Sequence, residues 1–179
     1  MAGIESAESR SRVGGWQGPV VGGLLVAAAL CVAELDALEF GAAGAVAGVG
    51  ILLALGGLLA VWWLRGAGRR WGCALALAPV LAWLVAGSIG QAQRRASHAV
   101  GDEVCAALAR FHEQNGRYPE RLEALVPGWL AAVPDSEIGV LRRVPFGYER
   151  REGGYRLWFA APAFIVCARG PDTDWKCDD

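Results

Sequence analysis

The last stretch of the chain, "CARGPDTDWKCDD" from Cys167 to Asp179, combines two thiols with four carboxylates. Nine residues separate Cys167 from Cys177 and include Gly170-Pro171, a dipeptide typical of turns, so a disulfide between the two thiols is sterically reasonable. Carboxylate oxygens are also the ligands that Ca²⁺ prefers. The stretch is therefore open to three interpretations: a disulfide staple, a cation site or a solvated acidic tail.

The chain divides by composition into an apolar part and a charged part. From residue 16 to residue 90 almost all residues are Gly, Ala, Val, Leu or Trp, whereas from residue 91 onward there are 12 basic and 13 acidic residues. This contrast predicts a membrane part followed by a water-facing domain. The formal net charge of -1 leaves no basic surface for nucleic acid, so nucleic-acid binding is not expected.

Three apolar segments are long enough to cross a hydrocarbon core of ~30 Å, which takes about 20 helical residues. They cover residues 16–33, 41–64 and 71–90. The first segment has a cleavable signal as its alternative, but it lacks an early basic region and a small-residue cleavage site, which favours a retained span. We therefore predict an N-terminal cytoplasmic segment at residues 1–15, a three-span region at 16–90 and a separate domain at 91–179.

The arginines of the membrane part predict its orientation, because cytoplasmic loops collect Lys and Arg. The bases precede the first span or lie between the second and third; they are Arg10, Arg12, Arg65, Arg69 and Arg70. The first loop instead carries acids, which we interpret as a solvated loop; they are Glu34, Asp36 and Glu39. Three crossings then predict that residues 91–179 lie outside the cytoplasm. Arg94 and Arg95, directly after the third span, depart from this pattern.

The water-facing domain begins with helical periodicity and continues with strand patterns. One apolar stripe recurs at helical spacing as far as Asn115-Gly116, a typical helix end; it consists of Val100, Val104, Ala107, Leu108 and Phe111. A short helix is expected between Pro119 and Pro127. The segments "FGYER" and "YRLWFA" around a Gly-Gly turn predict a hairpin, and "AFIVCA" predicts a third strand. We expect an α+β domain with a long helix packed on an antiparallel meander.

The segment "ALARFHEQNGRYPERLEALVP", with "WLAAVP" and the final "ARGPDTDWKCDD", is similar to the globular part of type II secretion pseudopilins and type IV pilin-like proteins. The resemblance covers about residues 104–179 and implies a pilin-like fold. It also implies a calcium site in the acidic loop, with Asp172, Asp174, Asp178 and Asp179 as ligands. Three apolar segments stand here in place of the single N-terminal helix of that family.

Few residues of the water-facing domain suit catalysis. A hydrolase needs a nucleophile beside a base, and this part offers Ser97, Ser136, His98 and His112 without a Gly-x-Ser-x-Gly motif. The two histidines lie ~21 Å apart along one helix, which is too far to share a zinc ion.

We therefore predict a non-catalytic polytopic inner-membrane protein that displays a pseudopilin-like interaction domain outside. The alternatives are a divergent component of a type II secretion or type IV pilus assembly and a membrane enzyme that depends on His112 or Ser136. The expected partners are the lipid bilayer and proteins of envelope, secretion or pilus assemblies. An extracytoplasmic location makes the disulfide between Cys167 and Cys177 chemically available.

Overall fold

The computed structural model describes residues 2–37, 40–162 and 165–178, without the side chains of residues 2–16 and 40–42. It has three long helices: α1 (Ala2–Asp36), α2 (Phe40–Trp63) and α3 (Ala67–Asn115). Each contains a stretch long and apolar enough to cross a membrane, so the three predicted apolar helices are confirmed and are consistent with membrane insertion. The side chains of Arg10 and Arg12 and the whole of Glu39 lie outside the described parts.

Much of the surface of the apolar helices is exposed. Only 11% of the most apolar window of α2 is buried inside the protein. Leu52 and Trp83 are each 70% exposed. Such a surface is unfavourable in water but is the normal surface of a helix that faces lipid.

The chain forms two compact units. The first consists of Met1–Glu34 and Gly44–Gly87, and the second of Leu35–Ala43 and Ser88–Asp179. Helix α3 therefore contributes its first part to the apolar unit and its second part to the unit that contains the sheet.

Helix α3 ends where the sequence predicts. Gly116 adopts a positive φ of 68° and its N–H donates to the carbonyl oxygen of His112 at 2.8 Å, the arrangement of a glycine C-cap. The short helix expected between Pro119 and Pro127 is reduced to a single 3₁₀ turn, Leu122–Leu125, so its predicted length was wrong. The residues on either side of that turn have extended backbones, and a residue before proline disfavours the helical region.

The sheet is an antiparallel meander of four strands in sequence order: β1 (Gly147–Arg151), β2 (Gly154–Ala161), β3 (Ile165–Arg169) and β4 (Lys176–Asp178). The predicted hairpin and third strand are present, and Gly153 occupies the turn with a φ of 76°. Ala163 and Phe164, which belong to the predicted third strand, lie outside the described residues. Strand β4 was not predicted, and it lies inside the acidic stretch that closes the sequence.

Helix α3 and the sheet share one hydrophobic core. Leu108 of α3 is fully buried together with Leu157 and Phe159 of β2. The buried residues of β2 alternate with partly exposed ones, as expected for a strand with one face on the core. The predicted combination of apolar helices and a small antiparallel sheet is thus confirmed.

Candidate interaction site around the terminal disulfide

Cys167 and Cys177 form a disulfide, as their spacing predicts. They face each other across the β3–β4 pair, Cys167 fully buried in the core and Cys177 exposed. Strand β4 has only three residues, all of them exposed, and pairs with β3. The covalent bond therefore holds a strand that is too short to be stable through its backbone pairing alone.

Trp175, just before β4, attaches the terminal stretch to helix α3. Its indole is stacked on the His98 imidazole, with ring centroids 5.1 Å apart and planes at 7°. It also packs edge-on against Phe159, and its Nε1–H donates to Oδ1 of Asp102 at 2.7 Å. Both Asp102 and His98 lie on α3, so one aromatic side chain connects three structural elements.

A second set of polar contacts fixes the turn between β3 and β4. The Arg169 guanidinium pairs with the carboxylate of Asp102 and donates through Nε to the carbonyl oxygen of Thr173 at 3.0 Å. The Thr173 hydroxyl in turn accepts from the N–H of Gly170 at 2.9 Å. The turn is therefore held from both ends by contacts that do not need an ion.

The predicted calcium ligands occupy different environments. Asp172 and Asp174 lie in the turn, Asp178 lies on β4, and all three are exposed. Asp179 lies outside the described residues. Calcium binding by these four side chains stays a prediction, because no observation on the described residues tests it.

His98 lies beside the disulfide. Its Nε2 is 3.7 Å from Sγ of Cys177, and these two side chains with Cys167 place their ligand-type atoms within 4.8 Å of one another. Among the described residues, these three form the group of histidine, cysteine or acidic side chains whose potential metal-ligand atoms lie this close together. Because disulfide sulfurs are not thiolates, the oxidised protein does not offer a zinc site here.

Three effects set the protonation of His98. Partial burial lowers the pKa of its imidazole, the Asp102 carboxylate opposes this by raising it, and the charge of Arg94 lowers it further. The net result is a pKa below the ordinary value. Neutral His98 is thus the form favoured by the folded protein.

The full-length protein is expected to lose stability as the pH falls below about 6.5, the ordinary pKa of histidine. The unfolded chain then binds a proton at His98 before the folded chain does, and this difference favours unfolding. The measurement is the melting temperature in mild detergent between about pH 7.5 and 5. The variant His98→Gln should show a shallower decline of the melting temperature than the wild type. If the melting temperatures of His98→Gln and the wild type fell equally with pH, the decline would not come from His98.

The residues considered for catalysis have structural contacts. The Ser136 hydroxyl is fully buried and donates to the carbonyl oxygen of Val144 at 2.7 Å, and the buried Ser97 hydroxyl accepts from the N–H of Glu137 at 2.9 Å. His112 is exposed at the end of α3, where its ring stacks on Tyr118 with centroids 4.4 Å apart. The structure thus does not bring His112 and Ser136 into the hydrogen-bonded pair that a hydrolase mechanism requires.

Cys105 is a buried free thiol of α3. Burial raises the pKa of the Cys105 thiol, although a hydrogen bond with Tyr155 acts in the opposite direction. Burial likewise raises the pKa of the Tyr155 phenol. Both groups therefore stay protonated at neutral pH and act as core side chains.

Two acids assigned to a solvated first loop lie instead at the end of α1. The Asp36 carboxylate accepts from the N–H groups of Val140, at 2.7 Å, and Leu141, at 3.2 and 3.3 Å. Glu34 lines an apolar cavity of about 480 Å³ in the first unit. The assignment of these two residues to a loop was wrong, because helix α1 continues through them as far as Asp36; both side chains are partly exposed.

No family model, curated protein or solved structure matches the chain. The similarity of residues 104–179 to pseudopilins therefore depends on the sequence motifs quoted above. What the structure adds is a long helix with a small meander, a terminal disulfide and a tryptophan that joins them.

Proposed function

We propose that this chain is a non-catalytic protein of the bacterial inner membrane that displays an α+β interaction domain on the periplasmic side. The observation that carries the proposal is helix α3, which begins in an apolar stretch and ends in the core of a disulfide-bonded domain. A disulfide persists in an oxidising compartment and is rare in the cytosol of mesophiles. The disulfide and the arginines of the membrane part thus favour the same orientation.

The pilin-like character of the domain is the finer part of the proposal. The motif around Asn115-Gly116, the helix that ends there and the antiparallel sheet that follows support it. A domain of this kind acts by contact with other envelope proteins. The second candidate, a divergent component of a type II secretion or type IV pilus assembly, has the same motif in its favour.

Thiol labelling in intact cells tests the orientation. In a variant with Cys31, Cys73 and Cys105 replaced by alanine, the remaining thiols are those of Cys167 and Cys177. A membrane-impermeant reagent is expected to label intact cells only after reduction, since the exposed Cys177 thiol is then free on the outside, while Cys167 is buried in the core. Labelling that requires opened cells but no reductant would show a cytoplasmic domain and would contradict the proposal.

Recovery of a specific envelope partner in mild detergent tests the proposed role in protein contact. Repeated failure to recover such a partner would count against that role.

A further inference from the structure

A groove beside the terminal disulfide concentrates positive charge. It has a volume of about 400 Å³ and is lined by Gln91, Arg94, Arg95, His98, Ile165 and Cys177; we call it the basic groove. Its first four residues follow the spacing i, i+3, i+4 and i+7, so they lie on one face of α3. The opposite wall comes from β3 and β4 and is apolar at Ile165.

The two arginines of the basic groove have no acidic partner in the described parts of the chain. The groove lining among the described residues, which do not include Asp179, contains no carboxylate. Some other arginines of the same unit do have acidic partners: Arg143 pairs with Glu137, and Arg169 pairs with Asp102. Two adjacent unpaired guanidiniums and an imidazole form a site for an anion, and guanidinium groups suit phosphate because they donate two parallel hydrogen bonds.

The position of the groove along α3 indicates where the anion comes from. Arg94 and Arg95 follow the last residue of the predicted third span, Gly90, by about 6 and 7.5 Å at a helical rise of ~1.5 Å per residue. The headgroup layer of one leaflet is about 5 to 7.5 Å thick, half the difference between a whole bilayer and its hydrocarbon core. With the span ending at Gly90, the α3 backbone at Arg94 and Arg95 lies within or at the outer edge of the headgroup layer, where long arginine side chains reach lipid phosphates.

We propose that the basic groove binds the phosphate of an anionic glycerophospholipid through Arg94 and Arg95. His98 and the disulfide, which contact each other, face this phosphate from the aqueous side, and Ile165 forms an apolar part of the groove wall. The inference rests on the membrane location in the proposed function. It also gives a reason for two arginines at a span end that lies on the extracytoplasmic side, where the distribution of basic residues does not favour them.

Lipid binding to the purified full-length protein tests the inference. The probes are phosphatidylglycerol and phosphatidylcholine with identical acyl chains, added in mild detergent with the disulfide intact and counted by native mass spectrometry. The wild type is expected to prefer phosphatidylglycerol by roughly tenfold, and Arg94→Gln/Arg95→Gln to lose that preference. The control Arg117→Gln/Arg121→Gln removes two exposed arginines outside the groove lining and should keep it.

Two results would overturn the inference. One is an equal preference for phosphatidylglycerol in the groove variant and the wild type. The other is displacement of the lipid by millimolar inorganic phosphate, which would identify a free anion as the ligand. Carbonate extraction of the same membranes separates this test from the proposed function: release of the chain contradicts both, whereas retention without a lipid preference contradicts the inference alone.

A measurement on the unaltered protein gives an independent readout. The chain has two histidines, so the imidazole signals of His98 and His112 are resolved easily by NMR. A bound phosphate should raise the pKa of His98 above its lipid-free value, because a nearby negative charge stabilises the imidazolium. Phosphatidylcholine should produce no such rise. The absence of any rise with phosphatidylglycerol would also overturn the inference.

Discussion

Replacing Gly101 by valine is expected to destabilise the full-length protein by about 3 kcal/mol, the upper range for overpacking a core. Gly101 lies on α3 directly beneath the terminal tryptophan. A Cβ at this position would overlap the Trp175 indole and lie 3.3 Å from Cε1 of Phe146. For a chain of this length such a loss lowers the melting temperature by roughly 6 to 12 °C.

The indole has little freedom to move away from a larger side chain. It is fixed by the stack on His98, the contact with Phe159 and the hydrogen bond to Asp102. The valine therefore has to displace the terminal stretch as a whole. We expect the loss of β4 pairing to accompany the loss of stability, visible as faster amide exchange in β4.

A double-mutant cycle distinguishes this clash from an intrinsic effect of valine in a helix. In the background of Trp175→Ala the space above Gly101 is open, so Gly101→Val should cost about 2 kcal/mol less than in the wild type. Gly87→Val serves as the matched control, at a glycine of the same helix whose Cβ would meet no described atom within 4 Å beyond its own chain neighbours and helix backbone. Equal costs in both backgrounds would show that Trp175 does not pack on Gly101.

The elements that local patterns specify were predicted from the sequence. The apolar stripe that includes Val104 and Leu108 has the period of a helix, and Asn115-Gly116 stops it because glycine adopts a positive φ at low cost. The alternation in β2 and the glycines of the hairpin likewise act over a few residues. The disulfide belongs to the same class, since Cys167 and Cys177 are close in sequence.

The contacts that complete the candidate site connect distant parts of the chain. His98 and Cys177 are 79 residues apart, and Asp102 and Trp175 are 73 residues apart. No periodicity encodes such pairs, because they depend on how α3 lies on the sheet. Strand β4 was not predicted for a related reason. Its residues have little strand propensity, and the strand forms because the disulfide and Trp175 hold it against the rest of the domain.

Asp36, the last residue of α1, is another residue whose contacts could not be predicted from the sequence. In the sequence it is one acid among three near the end of an apolar segment, which suggests only a solvated loop. In the structure its carboxylate accepts hydrogen bonds from Val140 and Leu141, more than 100 residues away. A single acidic residue gives no local signal for such a role.

Loss of the disulfide is expected to lower the free energy of unfolding by roughly 2 to 3 kcal/mol, the value for closing a loop of about ten residues. The physical reason is that the bond restricts the unfolded chain between Cys167 and Cys177. The folded protein also loses the constraint on β4, which pairs with β3 at the edge of the sheet that the described residues form. The melting temperature of the wild-type chain should therefore fall when a thiol reductant is added.

The double variant Cys167→Ala/Cys177→Ala should melt near the reduced wild type and should not respond to the reductant. Cys105→Ala removes a buried thiol from the same core without touching the disulfide, so it should keep the full response. Thiol counting after denaturation establishes that the bond was reduced in each sample. A fully reduced wild type that melts at the oxidised temperature would contradict the role of the bond, and the stability of β4 would then have to come from Trp175 and its contacts with α3.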